Sequence, residues 1–117
     1  MSPGMKYRHY APNTKCLLVY SKDEEKLINE INKIIQKEGK NIAIIAKTRN
    51  LGKYNVGYKL NMGDTLEEIS RNIFTILRKV DTYKADLVII EGVEQTGLGL
   101  ALMNRLIRAC GNNYIEC

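Results

Sequence analysis

Short apolar runs recur along the chain, separated by stretches of mixed polarity. Cys16–Tyr20, Ile42–Ala46 and Leu87–Ile90 contain no charged residue. Such runs are typical of strands buried on both faces of a parallel sheet. A weaker run, Val56–Leu60, predicts a strand whose connection is too short for a full helix, and Tyr114 with Ile115 predicts a short last strand.

The stretches between these runs carry apolar residues at helical spacing on one side, which predicts amphipathic helices. Two of them begin with a hydroxyl residue three positions before a glutamate, the spacing of a capping box. The first helix is predicted to begin at the box of Ser21 and Glu24 and to end at Gly39, and the second to begin at the box of Thr65 and Glu68. The third is predicted to run from about Leu98 to Ala109 and to be closed by Gly111. Strand, helix and strand in this order predict an α/β fold, a small doubly wound sandwich of three layers.

The first residues of the chain show neither the alternating pattern of a strand nor the apolar spacing of a helix. Both prolines, Pro3 and Pro12, lie there, so we expect an extended N-terminal arm or linker over residues 1–14 and an α/β domain over residues 15–117. Aromatic and titratable side chains are concentrated in this arm: Lys6, Tyr7, Arg8, His9 and Tyr10. Tyrosine rings stack on bases and cations neutralise phosphates, so these side chains are candidate nucleotide contacts; a merely soluble terminus is the alternative.

Charge and cysteine content narrow the function classes. The 18 basic residues exceed the 13 acidic ones by five, but three of the bases lie within residues 1–15, so the rest is close to neutral. This distribution argues against nucleic-acid binding driven by bulk charge. The three cysteines have no paired spacing, which predicts no disulfide framework and no metal site. Without a signal-like or membrane-length apolar run, we expect a cytoplasmic protein.

A turn between the fourth strand and the last helix is a candidate phosphate site. Gly97 and Gly99 would present backbone N–H groups at a helix N-terminus. However, Leu102 occupies the position at which the dinucleotide fingerprint requires a third glycine. Close packing that only glycine permits is therefore the favoured explanation of this turn.

Basic and aromatic residues mix between Glu38 and Asp64. Five bases and no acid occur there, with two tyrosines among them: Lys40, Lys47, Arg49, Lys53 and Lys59, with Tyr54 and Tyr58. The mixture resembles a modest RNA-contacting patch, although lysines on a solvated loop are the more ordinary explanation.

The last predicted helix is apolar nearly all round, which predicts burial on more than one side. Arg105 borders its apolar stripe and could pair with Glu91 at a strand end; a solvated arginine or an ordinary ion pair is the favoured alternative. With His9 the single histidine and few serines, no Ser-His-acid triad is indicated.

The run from Ser2 to Pro12 resembles, without interruption, the interdomain linker motif of the long, Sua-five type of threonylcarbamoyl-AMP synthase. The second half of the chain resembles the C-terminal domain of the same family at Asn72, Ile73, Phe74, Leu77, Arg78, Asp81, Ala85, Asp86, Leu87, Glu91, Gly97, Leu98, Gly99, Ala101, Asn104, Arg105, Leu106, Arg108 and Ala109. The resemblance implies a small Rossmann-like domain with a mostly parallel sheet, in agreement with the fold predicted from periodicity.

In that family a YrdC-type catalytic domain joins ATP, threonine and bicarbonate into threonylcarbamoyl-AMP and pyrophosphate. This is the first step of threonylcarbamoyladenosine formation in tRNA. The linker lies over the opening of the active site. The resemblance therefore implies that Tyr7 and Tyr10 lie near bound nucleotide, with Lys6, Arg8 and His9 close by.

Three departures from the family pattern shape the functional expectation. The catalytic domain is absent, Met1 directly precedes the linker motif, and the region 48–61 is shorter than usual. We therefore expect a noncatalytic module of a nucleotidyltransferase, either a piece of a longer protein or the product of a split gene. It would act with a catalytic domain in cis or in trans, which supplies ATP with Mg and threonine, and it would hold no cofactor alone.

Two other functions remain open from the sequence. The domain could bind a nucleotide by itself at the Gly97 turn, as a regulatory domain. It could instead contact tRNA through the stretch from Lys40 to Lys59.

Overall fold

The structure is a computed structural model that describes residues 12–39 and 41–117. These residues form five strands, three α-helices and two 3-10 helices. In chain order they are β1 (Cys16–Tyr20), α1 (Glu24–Glu38), β2 (Ile42–Lys47), a 3-10 helix (Thr48–Lys53), β3 (Tyr58–Gly63), α2 (Leu66–Lys79), a second 3-10 helix (Val80–Tyr83), β4 (Leu87–Glu91), α3 (Leu98–Ala109) and β5 (Tyr114–Glu116).

The five strands form one sheet in the order β3-β2-β4-β1-β5, and every neighbouring pair is parallel. The central strand β4 pairs with both β1 and β2, so that Ile89 lies opposite Leu17 on one side and Ile44 on the other. All residues of β2 and β4 are buried. The predicted α/β class is confirmed, and the sheet is wholly rather than mostly parallel.

Alternate side chains of the strands build a core on each face of the sheet. On one face, strand residues pack with α2 and α3 in a core that includes Leu18, Ala43, Ile45, Ile73, Leu77, Val88, Ile90, Leu102, Met103 and Leu106. On the other face, strand residues pack with α1 in a core that includes Val19, Leu27, Ile31, Ile44, Tyr54 and Ile89. The three predicted layers are therefore present.

The two predicted capping boxes have different outcomes. At α2, the Thr65 hydroxyl accepts from the Glu68 N–H, and the Glu68 carboxylate accepts from the Thr65 N–H, so this box is confirmed. At α1 the prediction is wrong: Asp23 is the N-cap and accepts from the Glu25 N–H, while Ser21 accepts from the Asp23 N–H. The Glu24 side chain is engaged by two cations instead of by the helix N-terminus.

The region after β2 also differs from the prediction. The short connection after β2 contains the 3-10 helix Thr48–Lys53, and the weak third strand runs over Tyr58–Gly63 rather than Val56–Leu60. The helix end predicted at Gly39 is confirmed, and Gly39 is left-handed with a φ of 57°.

The helix α3 has the predicted bounds but not the predicted burial. Leu102, Met103 and Leu106 are buried against the sheet, whereas Leu98 and Leu100 are 43% and 44% exposed. Only one side of α3 packs into the core, so burial on more than one side is wrong. None of the helices in the described ranges is both long and apolar enough to cross a membrane.

Candidate functional site

A crevice of about 270 Å³ opens at the carboxyl edge of the sheet, where β1, β2 and β4 end. The chain leaves β1 toward the face that carries α1 and leaves β4 toward the face that carries α3. Such a switch between adjacent strands is where open α/β sheets commonly bind ligands. The charged side chains that line the crevice are Lys22, Glu24, Lys47, Arg49, Asp64 and Glu94.

Beside this crevice, at the end of β4, lies a fully buried carboxylate, Glu91. It accepts hydrogen bonds from the Lys47 backbone N–H at 2.8 Å, from the Asn50 amide at 3.0 Å and 3.2 Å, and from the Tyr54 hydroxyl. The Lys47 ammonium lies 3.4 Å away. These four residues are the Glu91 cluster. Burial and the bond to Glu91 raise the pKa of Tyr54, so its hydroxyl remains a donor.

A second layer of charges joins the Glu91 cluster to the surface. The Lys47 ammonium donates to the Gly92 carbonyl at 2.9 Å and lies 3.8 Å from Glu24. Arg49 donates to Glu24 at 2.6 Å and 3.1 Å and to Asp64 at 3.2 Å. Burial opposes ionisation of Glu24, but the Arg49 hydrogen bond and the Lys47 charge outweigh it and lower the pKa of Glu24.

Four of the charged side chains that line the crevice are paired with one another: Glu24, Lys47, Arg49 and Asp64. Within the part of the chain that the structure describes, no buried side-chain nitrogen or oxygen lacks a hydrogen-bond partner. The same residues contain no group of three His, Cys, Asp or Glu side chains that could hold a metal ion. A ligand here would therefore have to displace existing ion pairs, and the arrangement serves to join β2, β4 and the 3-10 helix between β2 and β3.

The sequence did not predict the Glu91 cluster. Its partners are 37 to 44 residues away from Glu91 along the chain, so no local spacing indicates them. The available signal was a charged residue directly after each of two fully apolar strands, Lys47 and Glu91. In a parallel sheet those two positions lie at the same edge.

The turn at Gly97 is packed too closely for a side chain at its second glycine. A Cβ atom on Gly99 would lie 1.8 Å from the Glu94 carbonyl oxygen. The Gly99 N–H donates to the Thr96 carbonyl at 2.9 Å, and the Leu100 N–H donates to Gly97 at 3.1 Å. Close packing thus accounts for Gly99, while phosphate binding at Gly97 and Gly99 stays a prediction.

The basic and aromatic stretch does not form one surface. Lys47 and Tyr54 belong to the buried Glu91 cluster, and Arg49 is held by two carboxylates. The Tyr58 ring packs against Tyr83 with centroids 5.0 Å apart. Because Tyr54 is only 2% exposed, it cannot stack on a base, and its inclusion in an RNA-contacting patch is wrong.

Arg105 does not pair with Glu91. Its guanidinium lies 4.0 Å from the centroid of the Phe74 ring, a cation–π contact on the opposite face of the sheet from Tyr54. The partners of Glu91 come from β2 and the 3-10 helix that follows it.

The linker residues predicted to contact nucleotide lie outside the described residues: Lys6, Tyr7, Arg8, His9 and Tyr10. Asn13 and Thr14, which precede β1, contact Asp81 at the amino edge of the sheet. The Asn13 N–H donates to Asp81 Oδ2 at 3.0 Å. The Thr14 N–H and hydroxyl donate to Asp81 Oδ1 at 2.8 Å and 2.6 Å.

The fold defines a class, a doubly wound α/β domain with a parallel five-stranded sheet. Residues 1–111 match the family model for the threonylcarbamoyl-AMP synthase C-terminal domain, and the chain belongs to that family.

The relatives are longer proteins of one kind. The chain is 42% identical to the threonylcarbamoyl-AMP synthase of Pyrococcus abyssi, over 98% of this chain and 33% of that protein. It is 33% identical to the enzyme of the same name from Bacillus subtilis, over 99% of this chain and 34% of that protein. The chain therefore spans about a third of the length of the curated relatives it matches.

Solved structures show the same relation. The P. abyssi Sua-five protein, solved in complex with L-threonine, superposes on 99% of this chain with a TM-score of 0.81 and 39% identity, over 34% of its own length. A variant of that protein with an adjacent histidine and tyrosine each replaced by alanine gives the same TM-score, over 33% of its length. The separate C-terminal domain from Pyrococcus horikoshii matches over its whole length and 92% of this chain, with a TM-score of 0.69 and 34% identity.

Proposed function

We propose that this chain is the noncatalytic C-terminal module of a threonylcarbamoyl-AMP synthase, acting in threonylcarbamoyladenosine biosynthesis on tRNA. Its linker would cover the ATP and threonine site of a catalytic domain. The observation that carries the proposal is the family match over residues 1–111, because it includes the linker as well as the α/β body.

The chemistry belongs to the catalytic domain, which this domain would join in cis or in trans in the cytoplasm. ATP with Mg, threonine and bicarbonate are substrates held by that domain. In the described ranges Glu24, Lys47, Arg49 and Asp64 of the crevice are engaged with one another, as expected of a structural rather than a reacting site. The contribution of this chain is therefore to supply and orient the linker.

The linker has the residue types that a nucleotide lid requires. Tyr7 and Tyr10 provide rings that can stack on adenine, and Lys6 and Arg8 provide charge for phosphate oxygens. The replaced pair in the P. abyssi variant is an adjacent histidine and tyrosine, and this chain has a single histidine, His9, followed by Tyr10. A lid of this kind excludes water and holds the adenylate during synthesis.

Replacement of the two linker tyrosines tests this role. In the complete enzyme, Tyr7→Ala combined with Tyr10→Ala should lower threonylcarbamoyl-AMP formation about tenfold or more, because each stacked ring contributes on the order of 1–3 kcal/mol. The measurement is steady-state kinetics with ATP and threonine varied separately. The matched control is Tyr7→Phe with Tyr10→Phe, which keeps both rings and should retain most activity. Unchanged kinetics in the alanine variant would contradict the lid.

A further inference from the structure

The carboxylate of Asp81 holds the last residues of the linker with both of its oxygens. Two consecutive residues, Asn13 and Thr14, supply the three donors, although they lie 68 and 67 residues away from Asp81 in the chain. Hydrogen bonds to an ionised acceptor are the stronger kind, and Asp81 stays ionised: burial opposes this, but the bonds from Thr14 and Asn13 lower its pKa.

The position of Asp81 is itself fixed by the fold. It lies in the 3-10 helix Val80–Tyr83 that follows α2, next to the fully buried Val80, and its carbonyl accepts from the Lys84 N–H at 3.2 Å. On the linker side, the Lys15 carbonyl accepts from the Val88 N–H at 2.8 Å, where β1 begins to pair with β4. The chain is therefore held continuously from Asn13 into the sheet.

A fixed starting point limits where the rest of the linker can go. Thr14 is four residues from Tyr10 and seven from Tyr7 along the sequence, and chain segments of those lengths span at most about 14 Å and 25 Å. Fixing one end of a tether raises the effective concentration of its other end at a target within reach. Loss of the contacts at Asn13 and Thr14 would move the anchor point toward Lys15. The effective concentration of Tyr7 and Tyr10 at the nucleotide would then fall.

We infer that Asp81 is a positioning residue, which fixes where the linker leaves the domain and so directs Tyr7 and Tyr10 toward the nucleotide of the catalytic domain. The inference rests on the proposed function of the linker. It assigns a kinetic role to a residue that does not line the carboxyl-edge crevice.

The test compares Asp81→Asn with Asp86→Asn. Asp86 is the matched control, because it also accepts a backbone N–H at the amino edge, from Asn41 at 3.3 Å, but does not contact the linker. The C-terminal domain of P. horikoshii was solved as a separate chain, so hydrogen exchange can be measured on this domain alone. Asp81→Asn should speed exchange of the Asn13 and Thr14 amides about tenfold. Asp86→Asn should leave both amides unchanged.

The second readout is the KM for ATP of the complete enzyme. Asp81→Asn should raise it severalfold, Thr14→Val should raise it less, and Asp86→Asn should not change it. Faster amide exchange with an unchanged KM would overturn the inference and leave the proposed lid intact, provided that the Tyr7 and Tyr10 alanine variant is impaired. Unchanged kinetics in that tyrosine variant would overturn the proposed function itself.

Discussion

The two edges of the parallel sheet use charge in opposite ways. At the carboxyl edge, Glu91 is fully buried and its partners all come from within the domain. At the amino edge, the half-buried Asp81 accepts its bonds from Asn13 and Thr14, the residues through which the linker arrives. The first carboxylate stabilises the body of the domain, and the second controls a segment that leaves it.

This contrast shows why the position of a crevice is insufficient evidence for a site. The carboxyl edge has the location, the charges and a volume of about 270 Å³ expected of a ligand site in an α/β sheet. Four of its charged side chains, Glu24, Lys47, Arg49 and Asp64, are nevertheless paired with one another. Breaking a buried ion pair costs folding stability, and such a pair can be structural without binding a ligand. The amino edge, where Asp81 has the smaller hydrogen-bond network, is the edge connected to the proposed function.

The largest expected effect is on the carboxyl edge. Glu91→Ala would leave the buried Lys47 ammonium with Glu24, 3.8 Å away, as its remaining carboxylate, and would remove the acceptor of Tyr54 and Asn50. The free energy of unfolding should fall by about 3–5 kcal/mol, measured by urea denaturation. The control is Glu94→Ala at an exposed position, which should change it by less than about 0.5 kcal/mol. A small loss for Glu91→Ala would mean that the cluster is not structural.

A smaller loss is expected at the Gly97 turn. Gly99→Ala places a Cβ atom 1.8 Å from the Glu94 carbonyl oxygen, so the backbone must shift. The expected cost is about 1–3 kcal/mol. Gly52→Ala, whose Cβ meets no atom within 4 Å, should be nearly neutral. If Gly99→Ala were equally neutral, packing would no longer explain this glycine, and a phosphate-binding role would gain support.

The smallest effect is the pH dependence of the Asp81 contact. Because the pKa of Asp81 is lowered from 3.8 in the folded state, its stabilisation is complete above that value and is lost as the pH falls through the lowered folded pKa. Urea denaturation of the unaltered domain and of Asp81→Asn should differ by about 1 kcal/mol or less at neutral pH. The difference should vanish in strong acid. A difference that persisted there would show that the carboxylate charge is not what holds the linker.

Local patterns predicted the elements of the fold well. The capping box of Thr65 and Glu68 formed because all its bonds lie within four residues. The box expected at Ser21 and Glu24 did not form, because Asp23 is a closer cap and because Arg49 engages Glu24 from 25 residues away. The apolar runs predicted the buried strands for the same reason, because each run consists of consecutive residues.

Local sequence patterns could not predict the two charged networks. The Glu91 cluster and the Asp81 contact both join residues that are far apart in the chain, and neither leaves a periodic signal. The proposed roles of Tyr7 and Tyr10 came from the resemblance of the linker to a known family. The residue types alone indicate only that the two tyrosine rings can stack on a base.

Calorimetric titration of ATP with Mg, with and without threonine, into this domain and into the complete enzyme shows which of the two holds the nucleotide site. We expect saturable heat with the complete enzyme and none with the domain alone, because the linker completes a site that lies in another domain. Saturable binding to the domain alone would contradict this expectation. The nucleotide site would then belong to the α/β body, at the carboxyl-edge crevice or the Gly97 turn.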